Sequence, residues 1–155
     1  MINIIAAVAE NGVIGNNGKL PWNLKLDMAR FKQMTMENVV IFGKNTFNEI
    51  KKPLAGRENI VLSTHINHID GVKVFNSLDK ALDFAKTFGK EIFICGGESV
   101  YKEALAFADR LYITRIHCDF DGDRYFPAVP DNFKCISSQD ILDTGVATTF
   151  CIYKN

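Results

Sequence analysis

The sequence predicts an α/β fold: a single domain over residues 1–155, with a mainly parallel eight-stranded central sheet, an antiparallel C-terminal edge strand and about four flanking helices. Three observations lead there. Short β-branched runs alternate with amphipathic stretches over the first two thirds of the chain, the pattern of parallel strands covered on both faces by crossover helices. The last two strand-like runs have no helical pattern between them, so they pair antiparallel. The chain has 155 residues, 47% of them hydrophobic, enough for one core without metal or disulfide support, and no repeat or Pro/Ser-rich linker divides it.

Ile2–Ala9 opens the chain as an apolar run. It is too short to span a bilayer and no cationic segment precedes it, so it reads as a buried strand rather than an anchor or a signal peptide. Ala9–Leu20 follows, with Gly12, Gly15 and Gly18 beside Asn11, Asn16 and Asn17. Such a stretch is a permissive loop, either a long surface connection or a lid over a site.

Asn23 reads as a helix cap, and Leu24, Met28 and Phe31 then fall on one helical face. Asp27 lies on that same face. A carboxylate held against apolar neighbours loses hydration, so its pKa rises and its charge needs a specific partner. Perturbed acids of this kind cluster at functional sites. In the first helical turn, however, an acid also complements the helix dipole from water, and the spacing leaves both readings open.

The remaining strands are Val39–Phe42, Asn59–Ser63, Val72–Phe75, Ile92–Cys95, Leu111–Ile116, Phe133–Ser138 and Thr148–Tyr153. Further helices begin at Lys44, Ser77 and Glu98. In the clearest, Ser77 caps, Leu78, Ala81, Leu82, Ala85 and Phe88 form one face, and Gly89 terminates. In the last, Val100, Tyr101, Ala104, Leu105 and Ala108 form the buried face.

Composition excludes several function classes. The formal net charge is zero and no basic stripe exists to hold a phosphate backbone, which argues against nucleic-acid binding. Cys95, Cys118, Cys135 and Cys151 are scattered without a C-x-x-C pair, consistent with free thiols in a reducing cytoplasm. His65 and His68 lack a third metal ligand. Asp119, Asp121 and Asp123 begin like a calcium loop, but Arg124 and Pro130 occupy the positions that need Gly and Glu. No Ser/His/Asp or Cys/His arrangement stands out for nucleophilic catalysis.

In open α/β sheets ligands bind beyond the carboxyl ends of the strands, and here three such ends suit a phosphate-bearing ligand. At Gly43-Lys44-Asn45-Thr46 a strand ends and a helix begins with unpaired N–H groups, although Asn38 and Asn45 rule out a P-loop. At Cys95-Gly96-Gly97-Glu98-Ser99-Val100-Tyr101 paired glycines allow close backbone approach, but Glu98 repels phosphate unless it points away. At Leu62-Ser63-Thr64-His65 hydroxyls and an imidazole follow an apolar strand. Gly12, Gly15 and Gly18 do not match G-x-G-x-x-G, so a dinucleotide binds here in a non-Rossmann way.

Ile4-Ile5-Ala6-Ala7, Val13-Ile14-Gly15, Leu20-Pro21-Trp22-Asn23, Asp27 and Phe31 carry a further signal. With them go Gly43-Lys44-Asn45-Thr46, Pro53-Leu54-Ala55-Gly56-Arg57-Glu58-Asn59, Gly96-Gly97 with Tyr101, Leu111-Tyr112-Ile113-Thr114 and Gly122-Asp123. In order and spacing these segments resemble dihydrofolate reductase of the bacterial or phage type, over essentially the whole chain.

The resemblance implies reduction of 7,8-dihydrofolate to tetrahydrofolate with NADPH as cofactor, supporting one-carbon metabolism. Hydride passes from nicotinamide C4 to pterin C6, and a proton reaches N5. By the same resemblance Asp27 is the one ionisable group at the pterin, Thr114 supports it, Trp22 orients a water, and Leu20 completes the catalytic set. Ile5, Ala7, Met28, Phe31, Lys32, Ile50 and Leu54 then surround the substrate, and Arg57 takes its glutamate α-carboxylate.

For the cofactor, Ala7, Ile14, Gly15 and Gly18 are expected at the nicotinamide end. Lys44, Asn45 and Thr46, with Gly96 through Tyr101, are expected at the pyrophosphate, and Ser63, Thr64 and Lys44 at the 2′-phosphate. Leu62 and Cys95 complete that set, the Gly96–Gly97 peptide is expected cis, and no metal is implied. Asp123 is expected to hold the glycine-rich lid by accepting backbone N–H bonds.

The implied partners are dihydrofolate and antifolate-type small molecules, without nucleic acid or membrane, on a monomer. Lys44 stands where Arg is frequent in the family, Cys95 where a larger aliphatic residue is common, and Ser99 where some members are basic. A related reductase domain of riboflavin biosynthesis and a nucleotide-binding module without chemistry remain as alternatives. Asp27, Trp22, Thr114 and Arg57 favour the folate reading.

Overall fold

The structure, a computed structural model, describes residues 1–155. Its elements run β1 (Ile2–Ala9), β2 (Val13–Gly15), α1 (Lys25–Thr35), β3 (Val39–Gly43), α2 (Lys44–Ile50), β4 (Glu58–Leu62) and β5 (Lys73–Phe75). They continue α3 (Leu78–Lys86), β6 (Ile92–Ile94), α4 (Glu98–Ala104), β7 (Arg110–Ile116), β8 (Arg124–Tyr125), β9 (Lys134–Asp143) and β10 (Val146–Lys154).

Eight strands form one sheet in the order β5-β4-β3-β6-β1-β7-β10-β9. All neighbours from β5 to β7 are parallel, while β10 runs antiparallel to both β7 and β9. The expected antiparallel edge is this last pair, with β9 outermost and β10 one place in. β2 and β8 form a separate two-stranded sheet that the sequence did not announce, because strands this short carry no usable alternation.

The interior strands β3 and β6 are apolar without interruption because both of their faces are covered. Alternation along each strand divides the core in two. Ile4, Ile41, Ile94 and Leu111 pack with Leu78, Leu82, Val100 and Ala104 of α3 and α4. On the opposite face Ile5, Val40, Phe42, Val61 and Phe93 pack with Phe31 of α1, Ile50 of α2 and Leu54. Helix α3 has the expected inner face, and Ser77 Oγ accepts the N–H of Lys80 at 3.3 Å. No helix is long and apolar enough to cross a membrane.

The start of α1 departs from the sequence reading in two ways. The N-cap is Leu24, not Asn23, and no local side chain caps the helix. Met28 is exposed, whereas Leu24 is fully buried. The inward line of α1 is Leu24, Asp27, Phe31 and Thr35, which places Asp27 toward the sheet and turns Met28 outward.

Candidate active site

Asp27 faces the carboxyl end of β7. Its Oδ1 accepts a hydrogen bond from Thr114 Oγ1 at 2.5 Å, and Oδ2 has no hydrogen-bond donor within the protein. Arg30, one turn further along α1, places NH1 3.4 Å from Asp27 Oδ1 and 3.4 Å from Thr114 Oγ1. Burial raises the Asp27 carboxyl above the ordinary carboxylate value, and the Thr114 bond and the Arg30 charge oppose that rise. The group is thus a partly desolvated acid with one oxygen held and one free.

Sheet register explains why these residues meet. Ala7 of β1 lies opposite Thr114, and Thr114 lies opposite Phe150 of β10, so the three form a row under α1. Asp143, at the end of β9, fixes the helix above this row. Its carboxylate accepts the N–H of Leu26 at 3.0 Å and of Asp27 at 2.8 Å, replacing the missing local cap.

Arg57 lies immediately before β4. Its Nε donates to Ala55 O at 3.0 Å and its NH1 to Thr35 Oγ1 at 3.1 Å, while Thr35 in turn donates to Phe31 O at 2.8 Å. No carboxylate of the protein pairs with it. Partial burial lowers its pKa from the usual guanidinium value. An oriented cation without an internal counter-charge is suited to a ligand carboxylate. Phe31, Ile50 and Leu54 are half-buried against the core on the sheet face that α1 covers, while Lys32 is exposed on the outer side of α1.

A cleft of about 820 Å³ crosses the carboxyl ends of β1, β3, β4 and β6. Ala7, Ile14, Gly15, Leu20, Lys44, Asn45, Thr46, Leu62, Ser63 and Thr64 line it, as do Cys95, Gly96, Gly97, Glu98, Ser99, Val100 and Tyr101. Gly18 does not; it sits at φ +75° in the turn closed by Asn16 and Lys19. Asn48, Glu49, Ile66, Asn76 and Arg124 also line the cleft and went unnoticed in the sequence, because none belongs to a recognisable local pattern.

The donor set fits a phosphate-bearing dinucleotide. Ser63 Oγ accepts the N–H groups of His65 at 3.3 Å and Ile66 at 3.1 Å, which leaves its own proton to donate. Glu98 does point away: its Oε1 accepts the N–H of Tyr125 in β8 at 2.7 Å. Lys44 brings the positive charge, its Nζ bonded to Asn48 Oδ1. The backbone is close-fitting here, since a Cβ on Gly97 would lie 3.1 Å from Thr46 Oγ1 and one on Gly43 3.2 Å from Val100 Cγ2. The Gly96–Gly97 peptide is cis, as expected.

The glycine-rich segment after β1 is more ordered than a plain loop. Val13 pairs with Tyr125 and Gly15 with Arg124. Asp123 donates its N–H to Gly15 O at 3.1 Å and accepts that of Asn17 through Oδ2 at 3.3 Å. Trp22 meets Phe120 edge-on at 5.3 Å between ring centroids, which ties the chain just after this segment to the loop preceding β8.

Comparison with known proteins agrees with this geometry. A family model described as dihydrofolate reductase matches residues 1–155. The chain is 40% identical over 141 residues to a dihydrofolate reductase of Bacillus subtilis, covering 90% of this chain and 83% of that one. It is 43% identical over 128 residues to the type 3 dihydrofolate reductase of Salmonella typhimurium, covering 82% and 78%. Among solved structures, dihydrofolate reductase from Enterococcus faecalis complexed with NADP(H) and RAB-propyl superposes with a TM-score of 0.93 at 34% identity, covering 99% of this chain and 95% of that one.

Proposed function

The chain belongs to the dihydrofolate reductase family, and from that premise we propose that Asp27 is the acid on which its NADPH-dependent reduction of 7,8-dihydrofolate turns. The observation that carries this assignment is the desolvated Asp27 carboxylate, with Oδ1 held by Thr114 and Oδ2 free. A pterin presents an amino group and a ring N–H on one edge, and a fixed carboxylate accepts both. Gripping that edge polarises the ring so that N5 takes up a proton more readily as C6 is reduced. Trp22, close to Leu20 at the mouth, orients a water there.

NADPH, when bound, supplies the hydride. Ala7 contributes to both compartments, since it lines the large cleft and sits beside Thr114 in the sheet. Holding the nicotinamide against Ala7 and Ile14 therefore brings donor and acceptor rings together, and that proximity removes much of the barrier. Lys44, Thr46, Ser63 and Thr64, with the backbone at Gly96 to Tyr101, hold the phosphates. Arg57 receives the glutamate carboxylate of the substrate, and Phe31, Ile50 and Leu54 enclose the group between. The enzyme acts as a monomer in the cytoplasm.

Mixing the protein with NADPH and dihydrofolate and following nicotinamide absorbance tests the assignment. Loss of absorbance that requires both compounds supports it. Oxidation of NADPH with a deaminated riboflavin precursor but not with dihydrofolate would transfer the fold to the other reductase class.

A further inference from the structure

Arg30 belongs to none of the motifs that mark the family in this sequence, yet it touches both members of the Thr114–Asp27 pair. Its guanidinium carbon lies 4.1 Å from the centroid of the Phe150 ring. Phe150 is fixed in turn by Tyr112, whose ring stacks on it at 6.3 Å and 17°. A planar cation over an aromatic face is held by the ring quadrupole, and the geometry suits Arg better than Lys. The Arg30 and Asp27 side chains are 21% and 20% exposed, so water screens the pair less than it would a surface pair.

We propose that Arg30 is a positioning residue for the reduction: clamped on Phe150, its guanidinium pins Oδ1 of Asp27 against Thr114 and so fixes the orientation in which the carboxylate meets the substrate. The arrangement has an electrostatic consequence. A cation beside Asp27 opposes its protonation, so Arg30 holds the acid charged at pH values where burial alone would neutralise it. The other charged or titratable groups facing Asp27 are Asp143 at the end of β9 and Tyr101 on α4. Asp143 works against ionisation, and Tyr101 is spent in donating to Ile5 O at 2.9 Å. Arg30 is thus the one cation acting on the acid.

The inference rests on Asp27 being the substrate-facing acid, and a titration of the ligand-free protein separates the two ideas. The carboxyl carbon of Asp27 is followed by 13C NMR against pH in the full chain and in Arg30→Gln, Arg30→Lys and Phe150→Leu. Arg30→Gln is expected to move the Asp27 midpoint upward by about one pH unit. Arg30→Lys keeps the charge and recovers part of that shift, and Phe150→Leu, which removes the platform, produces a smaller upward shift. The pH profile of hydride transfer in a single turnover moves in the same direction. A midpoint unchanged in Arg30→Gln overturns the proposal whatever the substrate is. Should Arg30→Gln not fold, an unchanged midpoint in both Arg30→Lys and Phe150→Leu overturns it equally.

Discussion

Asp143 stands 116 residues beyond Asp27, and its carboxylate accepts the Asp27 backbone N–H at 2.8 Å. The turn that follows, Thr144-Gly145, has positive φ at both residues, +50° and +79°, the geometry that joins β9 to β10 tightly. Thr144 Oγ1 also accepts the N–H of Lys25 at 3.2 Å. The C-terminal hairpin therefore anchors the helix that carries the acid.

Replacing Asp143 by Ala should destabilise the fold by about 1 kcal/mol, the usual loss for a helix cap, measured by urea unfolding. The sign with pH follows from its environment. Burial raises the Asp143 carboxyl, but bonds from Leu26, Asp27 and Thr144 and the Arg30 charge outweigh it and hold it below its ordinary 3.8. Its contribution is therefore present above the unfolded value and lost as pH falls through the lower folded one. The difference between the two proteins should be full at neutral pH and shrink below about pH 4. A difference constant across that range contradicts the capping role.

Arg57 is oriented by Ala55 O and Thr35 Oγ1 without an internal carboxylate partner. Arg57→Gln should raise KM for dihydrofolate roughly tenfold to a hundredfold, as expected for a lost charge-assisted pair, with little change in kcat. A substrate truncated before its glutamate should be indifferent to the substitution. Equal losses on both substrates would place Arg57 in the scaffold instead.

Asp123 joins the glycine-rich segment at Gly15 and Asn17. Asp123→Ala removes only the side-chain tie, so turnover should fall roughly threefold to tenfold while the fold is retained. Steady-state kinetics beside circular dichroism distinguishes this from unfolding. Unchanged turnover refutes the link between this tie and the lid.

Lys44 gives the phosphate end of the cleft a compact charge where a guanidinium would add stacking. NADPH affinity should therefore fall markedly with ionic strength and tighten in Lys44→Arg, read by fluorescence titration in increasing salt. A flat salt profile excludes a leading role for this charge.

Most of the sheet was legible because doubly covered strands must be unbrokenly apolar, as in Val39–Phe42 and Ile92–Cys95. Helix α3 was legible from its Ser77 cap and inner face. The start of α1 was not, since its cap comes from Asp143, far away in sequence. Met28 was misplaced because an offset of four from Leu24 put it on the inner face, whereas that face runs on from Leu24 through Asp27 at an offset of three and Phe31 at seven. The β2–β8 sheet depends on Gly122, where a Cβ would collide with Val13 Cγ1, a long-range demand that leaves only an ordinary-looking glycine in the sequence. Asp27 could be found because an acid on an inward face is conspicuous, whereas no local pattern singles out Arg30 three residues later.

The most direct measurement is the rate of NADPH oxidation by dihydrofolate in Asp27→Asn at neutral pH, taken together with its affinity for NADPH alone. Asn preserves the Thr114 contact and the shape of the site but cannot carry the charge. Reduction should fall by about 10²- to 10⁴-fold while NADPH binding is retained. A variant that reduces dihydrofolate at the unsubstituted rate would contradict the assignment of Asp27 as the acid on which the chemistry turns.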